Sequence, residues 1–281
     1  MKKLLIFITF LVSQFCIVSA DTFKKPDLTL WIRAYGDQAV NLLSDSIENY
    51  QKNLTPFFNL NYFIATYQDD PVEKYFKNMP QVTILTTNLE SITDTFKILS
   101  NATPDDQAVL VISNGVEIMP QQIINAMGWL DTGAVIYGWK IEEMGNDGSV
   151  PGKGWYNTCA LYNSRCVSFL KEHPLPFYVN PGIAGKLIID GESIAIGGNE
   201  EIPLMAEYLK KEPKAFFVLD CFTPVHLKNQ TGNQVSFAQK MKRKIPVAKF
   251  YIEKKLNTTV EDLWKHLNII TSENTLIIGS S

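Results

Sequence analysis

The sequence predicts a single α/β domain with a mostly parallel central sheet and helices on both faces. Two features carry this reading. Between residues 28 and 141, short Val/Ile-rich runs alternate with segments whose apolar residues recur at helical spacing, and that alternation is how parallel sheets with covered faces are built. Each run also ends in turn or capping residues rather than in further apolar sequence. Hydrophobic residues make up 46% of the chain, enough for one core near the upper size limit of a single domain.

The chain opens on a leader. Lys2 and Lys3 precede the apolar residues 4–12, and Val18-Ser19-Ala20 supplies small residues before Asp21. This is the pattern of a secretory signal peptide over residues 1–20, the alternative being an uncleaved anchor. The domain then spans 21–281, with no second stretch of membrane length, in a secreted or lumenal setting (extracellular, endoplasmic reticulum or Golgi lumen, or periplasm).

The elements follow in order. LTLWIRAYGD (28–37) reads as a strand ending at a turn, and Val40, Leu43, Ile47 and Tyr50 mark the helix after it. NYFIATYQDD (61–70) is a second strand that exits into two carboxylates, and PQVTILTT (80–87) a third, followed by a helix through residues 90–102. DDQAVLVISNG (105–115) is a fourth strand, emptying at Ser113-Asn114-Gly115. Pro120 suits the first turn of the next helix, and GAVIYGWKI (133–141) is a fifth strand. The polar segment 142–157, with Gly145, Gly148, Gly152 and Gly154, reads as a lid that closes over a ligand.

Composition excludes several classes. Losing Lys2 and Lys3 takes the net charge from −3 to −5, and an acidic chain without a long basic stripe is a poor partner for nucleic acid. With Cys16 in the leader, Cys159, Cys166 and Cys221 allow one disulfide at most and show no zinc spacing. Sequons at Asn53, Asn101, Asn229 and Asn257 suit a glycoprotein on a eukaryotic secretory route, though such short motifs also arise by chance.

Chemistry concentrates in GGNEEIPLMAEYLKKEP (197–213). Pro203 fits a helix start, so Glu200 and Glu201 fall where the positive end of the helix dipole favours an ionised carboxylate, the form a general base needs. Acidic residues are also ordinary first-turn residues. His226 follows an apolar run at another strand exit. A competing pattern, Gly191-x-Ser193-x-Ala195 with Asp220 and His226 downstream, approximates the nucleophile elbow of a serine hydrolase, but Gly197-Gly198 interrupts the helix that should follow.

Taken in order, these segments resemble the family-2 type of glycosyltransferase, of GT-A fold, across residues 28–255. The resemblance implies inverting transfer from a nucleotide sugar to the hydroxyl of a glycan or protein acceptor. Asp69 and Asp70 would contact the donor nucleoside, and Glu201, with Glu200 beside it, would act as base. GWYNTCALYNSR (154–165) would line the acceptor through Trp155, Tyr156 and Asn157, and His226 would join a Mn²⁺ or Mg²⁺ ion. The sequence departs from the family where Ser113-Asn114-Gly115 replaces the Asp-x-Asp metal motif, because neutral oxygens hold a hard cation poorly. Three outcomes remain open. Ser113 and Asn114 could face a donor neutralised by Lys153 and by Arg243 of the Lys240–Lys244 cluster. Glu117 could replace the lost ligand. Or the scaffold could serve as a non-catalytic carbohydrate- or partner-binding protein.

Overall fold

The computed structural model describes residues 25–86, 92–141, 159–173, 186–189, 192–195, 201–228, 252–253, 256–259 and 261–271. Within them the chain runs β1 (Asp27–Arg33), α1 (Asp37–Leu54), β2 (Asn59–Thr66), α2 (Pro71–Phe76), β3 (Val82–Thr86), α3 (Ile92–Ala102), β4 (Val109–Ile112) and β5 (Val116–Glu117). It continues through α4 (Pro120–Asp131), β6 (Ile136–Ile141), β7 (Cys159–Tyr162), α5 (Ser164–Glu172), β8 (Lys186–Ile189) and β9 (Glu192–Ala195). The last described elements are α6 (Glu201–Lys211), β10 (Phe217–Leu227), α7 (Leu263–His266) and β11 (Ile269–Thr271).

The main sheet has the order β11-β10-β6-β7-β4-β1-β2-β3. Its pairs are parallel except around β7, which runs antiparallel to both β4 and β6. β5 adds an antiparallel pair to the end of β10. The alternation of β1 shows how the sequence fills both faces. Leu28, Leu30 and Ile32 point to one side, where Leu43, Ile47, Tyr50 and Leu54 of α1 and Ile123 and Ala126 of α4 cover them. Trp31 points to the other, against Phe96 and Leu99 of α3, Val167 and Leu170 of α5, and Ile202 and Leu204 of α6. Each such burial stabilises by about 1.5–3 kcal/mol, and the two-sided architecture is the one the alternation predicts.

Three departures from the sequence reading have physical reasons. Part of the segment expected on the acceptor side, Cys159 to Tyr162, is instead a wholly buried central strand. The Gly191-x-Ser193-x-Ala195 pattern is no elbow, because Ser193 lies in β9 and pairs with Ile188 in an antiparallel hairpin, Ile189 facing Glu192. An elbow needs a strand-to-helix turn at the serine. The three cysteines, for which one disulfide is allowed by sequence, are free; burial pushes the Cys159 and Cys166 thiols far above the ordinary thiol range.

Asp220 shapes the end of β10. The register against β6 slips between Asp220, opposite Trp139, and Val225, opposite Ile141. Asp220 is buried, and its carboxylate accepts hydrogen bonds from the Tyr137 hydroxyl at 2.7 Å, the Phe222 amide at 2.8 Å and the Thr223 amide at 3.0 Å, with the Thr223 hydroxyl as a fourth donor. Burial alone would raise its pKa. The Thr223, Tyr137 and Phe222 donors outweigh that and hold it below the usual carboxylate range. A depressed folded pKa contributes stability that is complete above the unfolded value of about 3.9 and lost as pH falls through the folded one. Asp220→Asn should therefore be less stable than wild type near neutrality, with the difference shrinking as pH falls below the unfolded value of about 3.9 in urea unfolding. A difference that stays constant as pH falls would contradict this account of the bulge.

Candidate functional site

Parallel pairing brings the exits of β1, β2 and β4 to one edge of the sheet, the carboxyl edge at which open α/β folds bind ligands. Asp70 organises the first two exits. Its carboxylate accepts the Gly36 amide at 3.0 and 3.1 Å and the Val72 amide at 2.9 Å, so it caps α2 while tying down the turn that starts α1. Asp69 is exposed in a left-handed conformation (φ 61°), with its amide donating to Glu73 at 2.7 Å. Beside them Tyr35 and Tyr67 expose rings that meet edge to face, 5.4 Å between centroids. Next to the Gly36–Asp70 junction, an open recess of about 470 Å³ is lined by Asp37, Val40, Asn41, Pro71, Lys74 and Tyr75.

The β4 exit is a tight turn. The Val116 amide donates to the Ser113 carbonyl at 3.2 Å, and Gly115 takes the third position with φ 82°. Gly115 is held from both sides: its amide donates to the Ser46 hydroxyl at 3.1 Å, and its carbonyl accepts the Lys228 amide at 2.8 Å. A Cβ there would meet Leu42 Cδ1 at 3.3 Å and the Lys228 carbonyl at 3.4 Å. The left-handed backbone favours glycine at the position of the expected carboxylate, although aspartate is among the residues that also adopt it, as Asp69 does here. Asn114 is buried, and its Oδ1 makes no hydrogen bond among the described residues. An orphaned buried acceptor of this kind costs about 1–3 kcal/mol until a donor reaches it.

The expected metal ligands are arranged differently. Glu117 lies opposite His226 in the β5–β10 pair, and its carboxylate is bound by Lys228 Nζ at 2.9 Å. Glu117 and Lys228 border a narrow crevice with Leu42, Asp45, Ser46 and Asn49 of α1, on the face opposite α6. No group of three His, Cys, Asp or Glu able to hold a metal occurs among the described residues. Mg²⁺ is usually held by one or two carboxylates with water and substrate phosphates, and here the Glu117 carboxylate is taken by Lys228, so the described donors fit Mg²⁺ or Mn²⁺ poorly.

Glu201 is the first residue of α6. The helix returns to the amino end of β10 through residues 212–216, where Arg165 bonds both Glu212 at 3.4 Å and the Gly133 carbonyl at 3.1 Å. Its N-terminus therefore faces the carboxyl edge. Glu200, Lys153, Trp155, Tyr156, Asn157 and Arg243 lie outside the described residues, as do the leader and segment 142–157.

No family model matches the chain, and no curated protein matches it in sequence. Among solved structures, a mannosyltransferase from Pyrobaculum calidifontis, in complex with GDP-mannose and Mn²⁺, superposes with a TM-score of 0.51 at 11% identity, over 85% of this chain and 68% of that one. The fold is of the GT-A type. A glucosyl-3-phosphoglycerate synthase from Mycobacterium tuberculosis gives a looser superposition, with a TM-score of 0.48 at 11% identity over 88% of this chain and 82% of its own. No described helix of this GT-A chain is long and apolar enough to cross a membrane.

Gly115 offers a direct check on the β4 turn. Gly115→Ala should lower stability by about 1–3 kcal/mol, the range for forcing a side chain into a left-handed position, measured as a loss in urea unfolding. An unchanged midpoint would mean that the turn relaxes, and that an aspartate could have stood there.

Proposed function

We infer that the carboxyl edge binds the nucleoside diphosphate of a nucleotide sugar, and that the protein transfers the sugar to an acceptor hydroxyl with inversion, in an extracytoplasmic compartment. The observation that carries the reading is the Tyr35–Tyr67 pair beside Asp70 at the β1 and β2 exits. Aromatic faces stack on bases, and carboxylate lone pairs left over after capping accept from a base or ribose. The Pyrobaculum mannosyltransferase, which shares the fold, holds GDP-mannose. In this reading Asp69 and Asp70 serve the nucleoside, while Ser113 and Asn114 border the donor at the β4 exit. Trp155, Tyr156 and Asn157 meet a glycan or protein acceptor.

Glu201, supported by Glu200, takes the proton of the acceptor hydroxyl as its oxygen attacks the anomeric carbon. The bond to the diphosphate oxygen breaks, and its electron pair leaves with the nucleoside diphosphate. The second reading, a binding protein without transfer, is favoured by one feature, the Ser113-Asn114-Gly115 turn in place of a carboxylate pair.

Titrating the protein with nucleoside diphosphates of each base, and assaying hydrolysis of the matching nucleotide sugars, separates the two. The transferase reading expects binding of at least one diphosphate, slow donor hydrolysis, and about a hundredfold or greater loss of turnover in Glu201→Gln with donor affinity unchanged. Binding with no turnover on any donor selects the second reading, and no binding at all removes both.

A further inference from the structure

The geometry points to a second feature of this edge: Arg33 and Lys140 form a two-cation diphosphate site that takes over the charge role of a metal. The inference rests on the donor reading above. Sheet register carries it. Trp31 pairs with Val111, so two residues on Arg33 stands level with Ser113. Gly138 and Val111 both pair with Ala160, so Lys140 is level with Ser113 from the other side. The faces agree as well. Trp31, Val111 and Ile136 belong to one core cluster, and Arg33, Ser113 and Lys140 continue their alternation on that same side.

With strands about 4.8 Å apart, Arg33 lies one strand from Ser113 and Lys140 two, about 10 Å away. Long side chains from both flanks can therefore bracket a diphosphate above the turn. The N-terminus of α6 belongs to this face too, since Ile202, Leu204 and Met205 pack in the same cluster. By contrast, Glu117 and Lys228 border α1 on the other face.

Both cations are available. Arg33 is exposed and Lys140 half-buried, and among the described residues neither side chain makes an ion pair or hydrogen bond. Arg33 ends a central strand between β4 and β2, where a charge has no packing purpose. Exposure alternates through that exit, Ile32 and Ala34 buried, Arg33 and Tyr35 exposed, so the guanidinium and the aromatic pair follow one another along one side. A planar guanidinium suits two phosphate oxygens at once, and an ammonium adds a point charge. Together they compensate charge where Ser113-Asn114-Gly115 recruits no cation.

The test is calorimetric titration of the protein with inorganic pyrophosphate, with the best-binding nucleoside diphosphate, and with its parent nucleoside, each in chelator and in Mn²⁺. We expect pyrophosphate to bind in competition with the nucleotide, and chelator to change affinity by less than about twofold. Arg33→Ala and Lys140→Ala should each weaken pyrophosphate and diphosphate binding by about tenfold or more, Arg33→Lys by less, with nucleoside binding unchanged. Alanine variants that bind pyrophosphate like wild type, or wild-type binding that vanishes in chelator, overturn the site. Pyrophosphate binding that depends on both cations, with no nucleoside recognised, leaves the anion site standing and removes the donor reading instead.

Discussion

The constraint on which the structure depends is the placement of β1 between two parallel partners, β2 and β4. Parallel strands cannot be joined by tight turns, so each needs a helix to carry the chain back. That return puts the exits of the parallel strands and the N-termini of α1 and α2 on one edge. The Asp70 carboxylate then locks two exits together through the Gly36 and Val72 amides. Charge-assisted hydrogen bonds to backbone amides are among the stronger ones available, and this set fixes where the Tyr35 and Tyr67 rings emerge.

The β4 exit shows how backbone geometry can determine site chemistry. A turn that reverses the chain into β5 requires a left-handed third residue, and Gly115 supplies it with both backbone groups hydrogen bonded. The residue that this turn favours thus carries no carboxylate for a divalent cation. Glu117 is two residues further on, paired to Lys228 and facing α1. The demand for positive charge at the edge then falls on side chains, and the register puts two arginine or lysine side chains level with Ser113 on a single face.

Much of the fold was legible in the sequence, because β1, β2, β4 and α1 show their periodicities cleanly. Leu43, Ile47 and Tyr50 are the buried stripe of α1 that the spacing marks. β7 was not legible: Cys159 to Tyr162 is too short to show a period, and its burial depends on two partners distant in sequence. The sequence did carry a signal for the β8–β9 hairpin, since an Asp-Gly pair between apolar runs favours a hairpin, but the same stretch also matches the small-Ser-small pattern of an elbow. Within the candidate site, Asp69, Asp70, Ser113 and Asn114 stand out as turn residues at strand exits. Arg33 and Lys140 do not, since a cation at the end of an apolar run resembles any solvated strand end. Only the pairing register shows that they share a level and a face.

The central claim is that the carboxyl edge, between the tyrosine pair and the β4 turn, is a nucleotide-sugar donor site. Its most direct test is a crystal structure of the protein grown with a nucleoside diphosphate. The account predicts the base against Tyr35 and Tyr67, and the diphosphate over Ser113 within reach of Arg33 and Lys140. A nucleotide bound elsewhere on the molecule, or a diphosphate held by a metal at Glu117 and His226, would contradict it.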